Sequence, residues 1–271
     1  MAKRGVGIIG CGAIGTIVAA VAGEHPRVDP LLVYDTKVEA AAGIAAMVGK
    51  ARVRTSLVEV LAEATLIVEA ASIEAARMVL PQALKMGREV LLLSTGALVD
   101  DGFRAQMVEL ASHHGGRIYL PSGAIAGVDG VGAAAGAPLR RVELITTKPP
   151  AALAGAPAVV AKGIDLHALT EPMVVFSGPA NEAIRLFPKN VNVAATLSIA
   201  GIGAYRTMVT IIADPAANRN THRIVVEGEF GAMSIELANQ PHPDNPATSH
   251  LAALSAGAAL KRILGPLWVG A

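Results

Sequence analysis

Gly10-Cys11-Gly12-Ala13-Ile14-Gly15 spells G-x-G-x-x-G between a short apolar run and a helical-looking stretch, and Asp35 stands 20 residues beyond Gly15. In a strand–turn–helix setting this spacing suits a dinucleotide. The first glycine permits the tight turn, the second lets backbone approach a pyrophosphate, and the third lets helix and strand pack closely, while helix N–H groups face the phosphate charge. Gly10, Gly12, Ala13, Ile14 and Gly15 are therefore the expected cofactor turn. A carboxylate at Asp35 would accept hydrogen bonds from the adenosine ribose hydroxyls and repel a 2′-phosphate, which favours NAD; Lys37 just beyond it leaves NADP open.

A second polar constellation runs from Phe187 to Thr196, where Lys189, Asn190 and Asn192 stand at the entry to a helix expected over 191–204. Helix N–H groups, amides and a cation converging there would hold a carboxylate; the plainer reading is an Asn cap beside a solvated lysine. His222 follows the polar loop Asp214-Pro215 to Thr221 at the start of a strand. An imidazole with a pKa near neutrality is the usual proton carrier for hydride transfer at an amine or alcohol carbon, and the alternative is a hydrogen-bonded structural histidine. Lys189 is the other candidate for the base, since a desolvated lysine can take that role. His242 and His250 are lesser candidates, and His25, His113 and His114 read as surface residues.

These residues need elements to position them. Apolar runs at 5–10, 27–34, 66–70, 90–94 and 117–120 alternate with helical patterns, which indicates a parallel sheet covered on both faces. The expected fold is α/β: an N-terminal Rossmann domain, doubly wound, over 1–122; a mixed α+β catalytic and substrate domain over 123–245; and a C-terminal helix over 246–271 packing back on the first domain. The loops Ala70-Ala71-Ser72 and Ser94 to Ala97 fall at strand C-terminal ends, where open α/β sheets bind ligands. In the second domain Arg141–Lys148 alternates like a half-exposed strand, and the strands after it read as antiparallel. The Ala/Gly patch 132–137 and the segment PHPDNP (241–246) read as loops, with Thr248 or Ser249 capping the last helix.

Composition narrows the partners. A net charge of +1 and eight aromatic residues among 271 offer neither the basic footprint nor the stacking platform of a nucleic-acid binder. One cysteine makes no intrachain disulfide and no structural zinc site, which fits a reducing cytoplasm. The mean hydropathy of +0.49 comes from dispersed short runs, below the roughly 18–20 apolar residues of a spanning helix. Lys3 and Arg4 precede an apolar stretch ending at Cys11, but only six Gly-rich residues lie between, short of the roughly 7–15 of a secretory core.

The segments GIIGCGAIG (7–15), LPSGAIAGVDG (120–130), FPKNVNVAATLSIAG (187–201), ADPAANRNTH (213–222) and NPATS (245–249) together resemble the L-aspartate dehydrogenase family over essentially the whole chain. The resemblance implies a homodimer that oxidises L-aspartate to iminoaspartate. This product hydrolyses to oxaloacetate and ammonia or feeds quinolinate and NAD synthesis by hand-off to quinolinate synthase. It also implies His222 as the catalytic histidine and Ala126 and Asn192 as nicotinamide contacts. Two other readings remain at this level: a different Rossmann oxidoreductase related to homoserine dehydrogenase or dihydrodipicolinate reductase, and a non-catalytic dinucleotide sensor.

Overall fold

β1 (Arg4–Ile9) is apolar on both faces because it is covered on both. It pairs in parallel with β2 (Val28–Tyr34) on one side and β4 (Leu66–Glu69) on the other, with α1 (Ala13–Glu24), α2 (Val38–Met47), β3 (Ala51–Val53) and α3 (Leu57–Glu63) intervening in the chain. After β4 come α4 (Ile73–Lys85), β5 (Glu89–Leu92), α5 (Asp101–His114) and β6 (Arg117–Tyr119), completing a six-stranded sheet of order β3-β2-β1-β4-β5-β6. All its pairings are parallel. The direction of winding reverses between β1 and β4, and at such a reversal the loops leaving adjacent strands diverge and open a crevice for ligands. The computed structural model describes residues 2–187, 191–243 and 245–270. It divides into two compact units, the first running to Pro121 and resuming over Ala253–Val269, the second formed by Ser122–Ala252.

The resumed segment belongs mostly to α10 (His250–Leu264). Its Ala256, Leu260 and Leu264 enter the same apolar core as Val6, Ile8, Val18 and Leu31. Burying a leucine side chain contributes about 1.5–3 kcal/mol, so the two leucines are a real part of this unit's stability. Close approach is possible because Gly257 has no side chain: a Cβ there would lie 3.1 Å from Val21 Cγ2. Arg27 Nη1 donates to the Leu264 carbonyl and closes the end of the helix.

The second unit is built on a five-stranded sheet. Its elements are α6 (Val128–Ala134), β7 (Leu139–Lys148), α7 (Pro157–Ala161), β8 (Met173–Pro179), α8 (Ala180–Leu186), α9 (Val191–Ala200), β9 (Met208–Ala213), β10 (Asn220–Gly228) and β11 (Gly231–Asn239). The order is β11-β10-β7-β9-β8, with β7 in the middle. The expected antiparallel pattern holds for β10 with β11 and with β7, and for β8 with β9, but β7 and β9 run parallel. The intervening β8 and helices form a long crossover, which lets a strand return in the same direction.

Three further expectations are corrected. The patch 132–137 is helical in its first half, since α6 extends to Ala134. The segment PHPDNP is not simply a loop: Pro241–His242 (β12) and Asn245–Ser249 (β13) form a short antiparallel ribbon, and Ser249 Oγ is buried without a hydrogen-bond partner and so does not cap α10. The helix expected over 191–204 stops at Ala200, where Gly201 follows and Gly203 takes a left-handed φ of +81° that ends the helical path. Among the described residues no helix is long and apolar enough to cross a membrane.

Candidate active site

In the first unit the glycine turn has the geometry its spacing predicts. Gly10 has φ +97°, and a Cβ on it would stand 2.6 Å from the Ala70 carbonyl carbon; a Cβ on Gly15 would collide with the Gly10 carbonyl oxygen. Both glycines are therefore required by the protein itself. Gly12 differs, since a Cβ there would meet nothing within 4 Å, and it is the residue that opens α1 with no side-chain cap. Exposed backbone at a helix N-terminus, with open space above it, is what a pyrophosphate needs. Ala13 and Ile14 form the first turn of α1 and are half-buried.

Asp35, at the end of β2, ties this loop down. Cys11 N–H donates to its Oδ2 at 2.7 Å and Lys37 N–H to its Oδ1 at 2.8 Å. Each carboxylate oxygen keeps further accepting capacity for ribose hydroxyls. Burial first, and the Asp35 charge second, push the Cys11 thiol up to about 12. It stays protonated and serves as packing.

Sequence reading missed the group that organises the rest of this edge. Glu69, last residue of β4, is 0% exposed. Its Oε1 accepts from Ala71 N–H at 2.8 Å, Ser72 N–H at 3.1 Å and Ser94 Oγ–H at 3.1 Å, and its Oε2 accepts from Ser94 N–H at 3.1 Å. One carboxylate thus fixes both of the strand-end loops that fall where open α/β sheets bind ligands. Burial pushes this carboxyl's pKa up, against the four donors that favour its ionised form. The available signal was a lone acid in an otherwise apolar strand.

The second unit carries a polar cluster at one end of an apolar sheet face. Leu144 of β7 and Val209 and Ile211 of β9 line a pocket under Ala183, Phe187 and Ala194, and Thr146 continues that row. His222 of β10 lies opposite Thr146 in register, with Nδ1 at 3.0 Å from Thr146 Oγ1. The ring is 5% exposed; burial, then the charge of nearby Lys148, hold its pKa down at about 4. Lys148 closes β7 two residues beyond Thr146, on the same face, and burial pulls its pKa down to about 8. Asn220 and Asn239 lie opposite each other in β10 and β11, both buried, and Asn239 Nδ2–H donates to the Ala124 carbonyl at 2.8 Å.

That last bond holds the turn in which Ala126 is exposed. Asn192 sits in the first turn of α9 with its side chain exposed. Lys189 and Asn190 lie outside the described residues. His242 is buried, with its ring centroid 5.5 Å from that of His250. The structure therefore brings Thr146, Lys148, Asn220 and Asn239 around His222, four neighbours that sequence reading did not single out as site residues.

A doubly wound sheet with this glycine turn and an acid at the end of β2, in one chain with a sheet that buries an imidazole, defines a nicotinamide-dependent dehydrogenase. The profile described as "Homoserine dehydrogenase, NAD binding domain" matches residues 10–121, and "Aspartate dehydrogenase, C-terminal" matches residues 129–263. The chain is 47% identical to the L-aspartate dehydrogenase of Methanosarcina acetivorans and 43% to that of Methanosarcina barkeri, over 98% of each chain. It superimposes on the crystal structure of aspartate dehydrogenase from Thermotoga maritima with a TM-score of 0.77 at 27% identity, covering 99% of this chain and 100% of that one. The chain belongs to the L-aspartate dehydrogenase family.

Proposed function

We propose that the protein oxidises L-aspartate at Cα to iminoaspartate, prefers NAD, and works as a homodimer in the cytoplasm. The imine then hydrolyses to oxaloacetate and ammonia or passes to a quinolinate synthase. The observation that carries this reading is the buried His222 with Nδ1 fixed on Thr146. The bound dinucleotide supplies the hydride acceptor, the C4 carbon of its nicotinamide ring.

Hydride leaves Cα only when the substrate nitrogen has a free lone pair, so a base must first take a proton from the ammonium. With its pKa held at about 4, His222 is neutral at pH 7 and is in its accepting form. When Nδ1–H donates to Thr146 Oγ1, the Nε2 lone pair is left for that proton. Substrate carboxylates raise the imidazole's proton affinity on arrival, because added negative charge favours the cation. The resulting imidazolium is then the acid for the departing amine. Gly10, Gly12, Ala13, Ile14 and Gly15 hold the pyrophosphate, Asp35 the adenosine ribose, and Ala126 and Asn192 the nicotinamide. Lys189, Asn190 and Asn192 hold a carboxylate, and Lys189 is the alternative proton acceptor.

The test is steady-state kinetics of His222→Ala with L-aspartate and NAD. Loss of a general base lowers kcat by about 10²–10⁴-fold. Unchanged kcat removes His222 from the role, and loss with Lys189→Ala alone transfers it there. Turnover of L-homoserine in preference to L-aspartate would overturn the substrate assignment.

A further inference from the structure

We propose that Lys148 is a substrate-binding residue whose ammonium pairs with a carboxylate of the dicarboxylate substrate beside His222. The inference rests on the L-aspartate reading above and adds a residue to it. Lys148 is the last residue of β7, the central strand, and the alternation Leu144, Thr146, Lys148 carries the buried face of that strand directly to it. Across the sheet it is flanked by Ala213 of β9, a small residue, while Thr146 next to it is flanked by His222. It is 7% exposed, and among the described residues no other lysine or arginine is buried.

Lysine usually lets its stem cover apolar surface while the ammonium reaches water. Holding this one inside costs solvation energy, and its lowered pKa reports that cost. The same charge also disfavours protonation of His222, which by itself hinders a proton acceptor. An arriving carboxylate counters both effects at once: it adds a negative charge beside the buried ammonium and offsets that ammonium's field at the imidazole, so proton acceptance improves when substrate is present. L-Aspartate brings two carboxylates, and the buried amides of Asn220 and Asn239 continue the polar surface on the same sheet face.

The experiment uses the full chain loaded with NADH and titrates succinate, a dicarboxylate without the amine, by calorimetry into wild type, Lys148→Met and Lys148→Arg. Kinetics with L-aspartate and NAD run in parallel. Removing one partner of a buried charge pair weakens binding by about 30-fold or more. Lys148→Met is expected to show that loss for succinate and a matching rise in KM for L-aspartate, with a smaller change in kcat and an NADH Kd like wild type. Lys148→Arg keeps the charge and is expected to recover most of the affinity. The inference is overturned if Lys148→Met binds succinate as wild type does, or if Lys148→Arg is as impaired as Lys148→Met, which would trace the loss to shape. Should wild type bind succinate through Lys148 yet fail to turn over L-aspartate, the substrate reading fails and the carboxylate site stands.

Discussion

Replacing Glu69 with glutamine changes side-chain volume little and turns one accepting oxygen into a donor. The expected loss follows from the four hydrogen bonds. An amide oxygen in the Oε1 position retains three, from Ala71 N–H, Ser72 N–H and Ser94 Oγ–H, so the amide nitrogen takes the Oε2 position and confronts Ser94 N–H. Two buried donors then lack acceptors, at about 1–3 kcal/mol each. Part is offset because the buried carboxylate no longer has to be desolvated, which leaves a net loss of about 1–4 kcal/mol. At roughly 2–4 °C per kcal/mol for a domain of moderate size, Tm falls by about 2–16 °C. The loops beginning at Ala71 and Ser94 lose their common anchor, so the NADH Kd should rise as well. Thermal unfolding and a fluorescence titration with NADH measure both. A Glu69→Gln protein with the wild-type Tm and the wild-type NADH Kd would refute the claim that this carboxylate fixes the two loops.

Two further outcomes are expected. Asp35→Ala removes the carboxylate that opposes a 2′-phosphate, so the ratio of kcat/KM for NAD to that for NADP should drop by about tenfold or more, and an unaltered ratio counts against that placement. Burial, then the charge of Lys148, hold the folded pKa of His222 at about 4, below the ordinary histidine value of 6.5. The unfolded chain therefore binds more protons between these values, and stability rises with pH from about 4 to about 6.5 and is lost again on acidification. The contribution is about 3 kcal/mol. Urea unfolding at several pH values in that window should show His222→Gln with a flatter dependence than wild type; parallel curves would sink the assignment.

The first unit was largely legible in the sequence because a parallel sheet covered on both faces writes its strands as apolar runs, and the glycine turn has sterics that only glycine satisfies at Gly10 and Gly15. Glu69 was hidden by the same logic, since a single acid at the end of LIVE reads as the strand reaching solvent. In the second unit the alternation of β7 was readable, but which of its residues would meet His222 depended on register. Thr146 becomes its partner, and Lys148 a near neighbour, only because β10 pairs with β7 at that offset. The parallel pairing of β7 and β9 depends on a long crossover that leaves no local pattern.

The return of α10 to the first unit has a consequence for biosynthesis. During translation the six strands from Arg4 to Tyr119 emerge well before Ala256, Leu260 and Leu264, with all of Ser122–Ala252 made in between. Until then the apolar cluster formed by Val6 and Leu31 of the sheet and Val18 of α1 lacks these three residues, an apolar surface open to chaperones or to self-association. The dinucleotide-binding unit is thus not a detachable N-terminal module: a fragment cut at Pro121 would carry every residue of the glycine turn and still lack part of its own core.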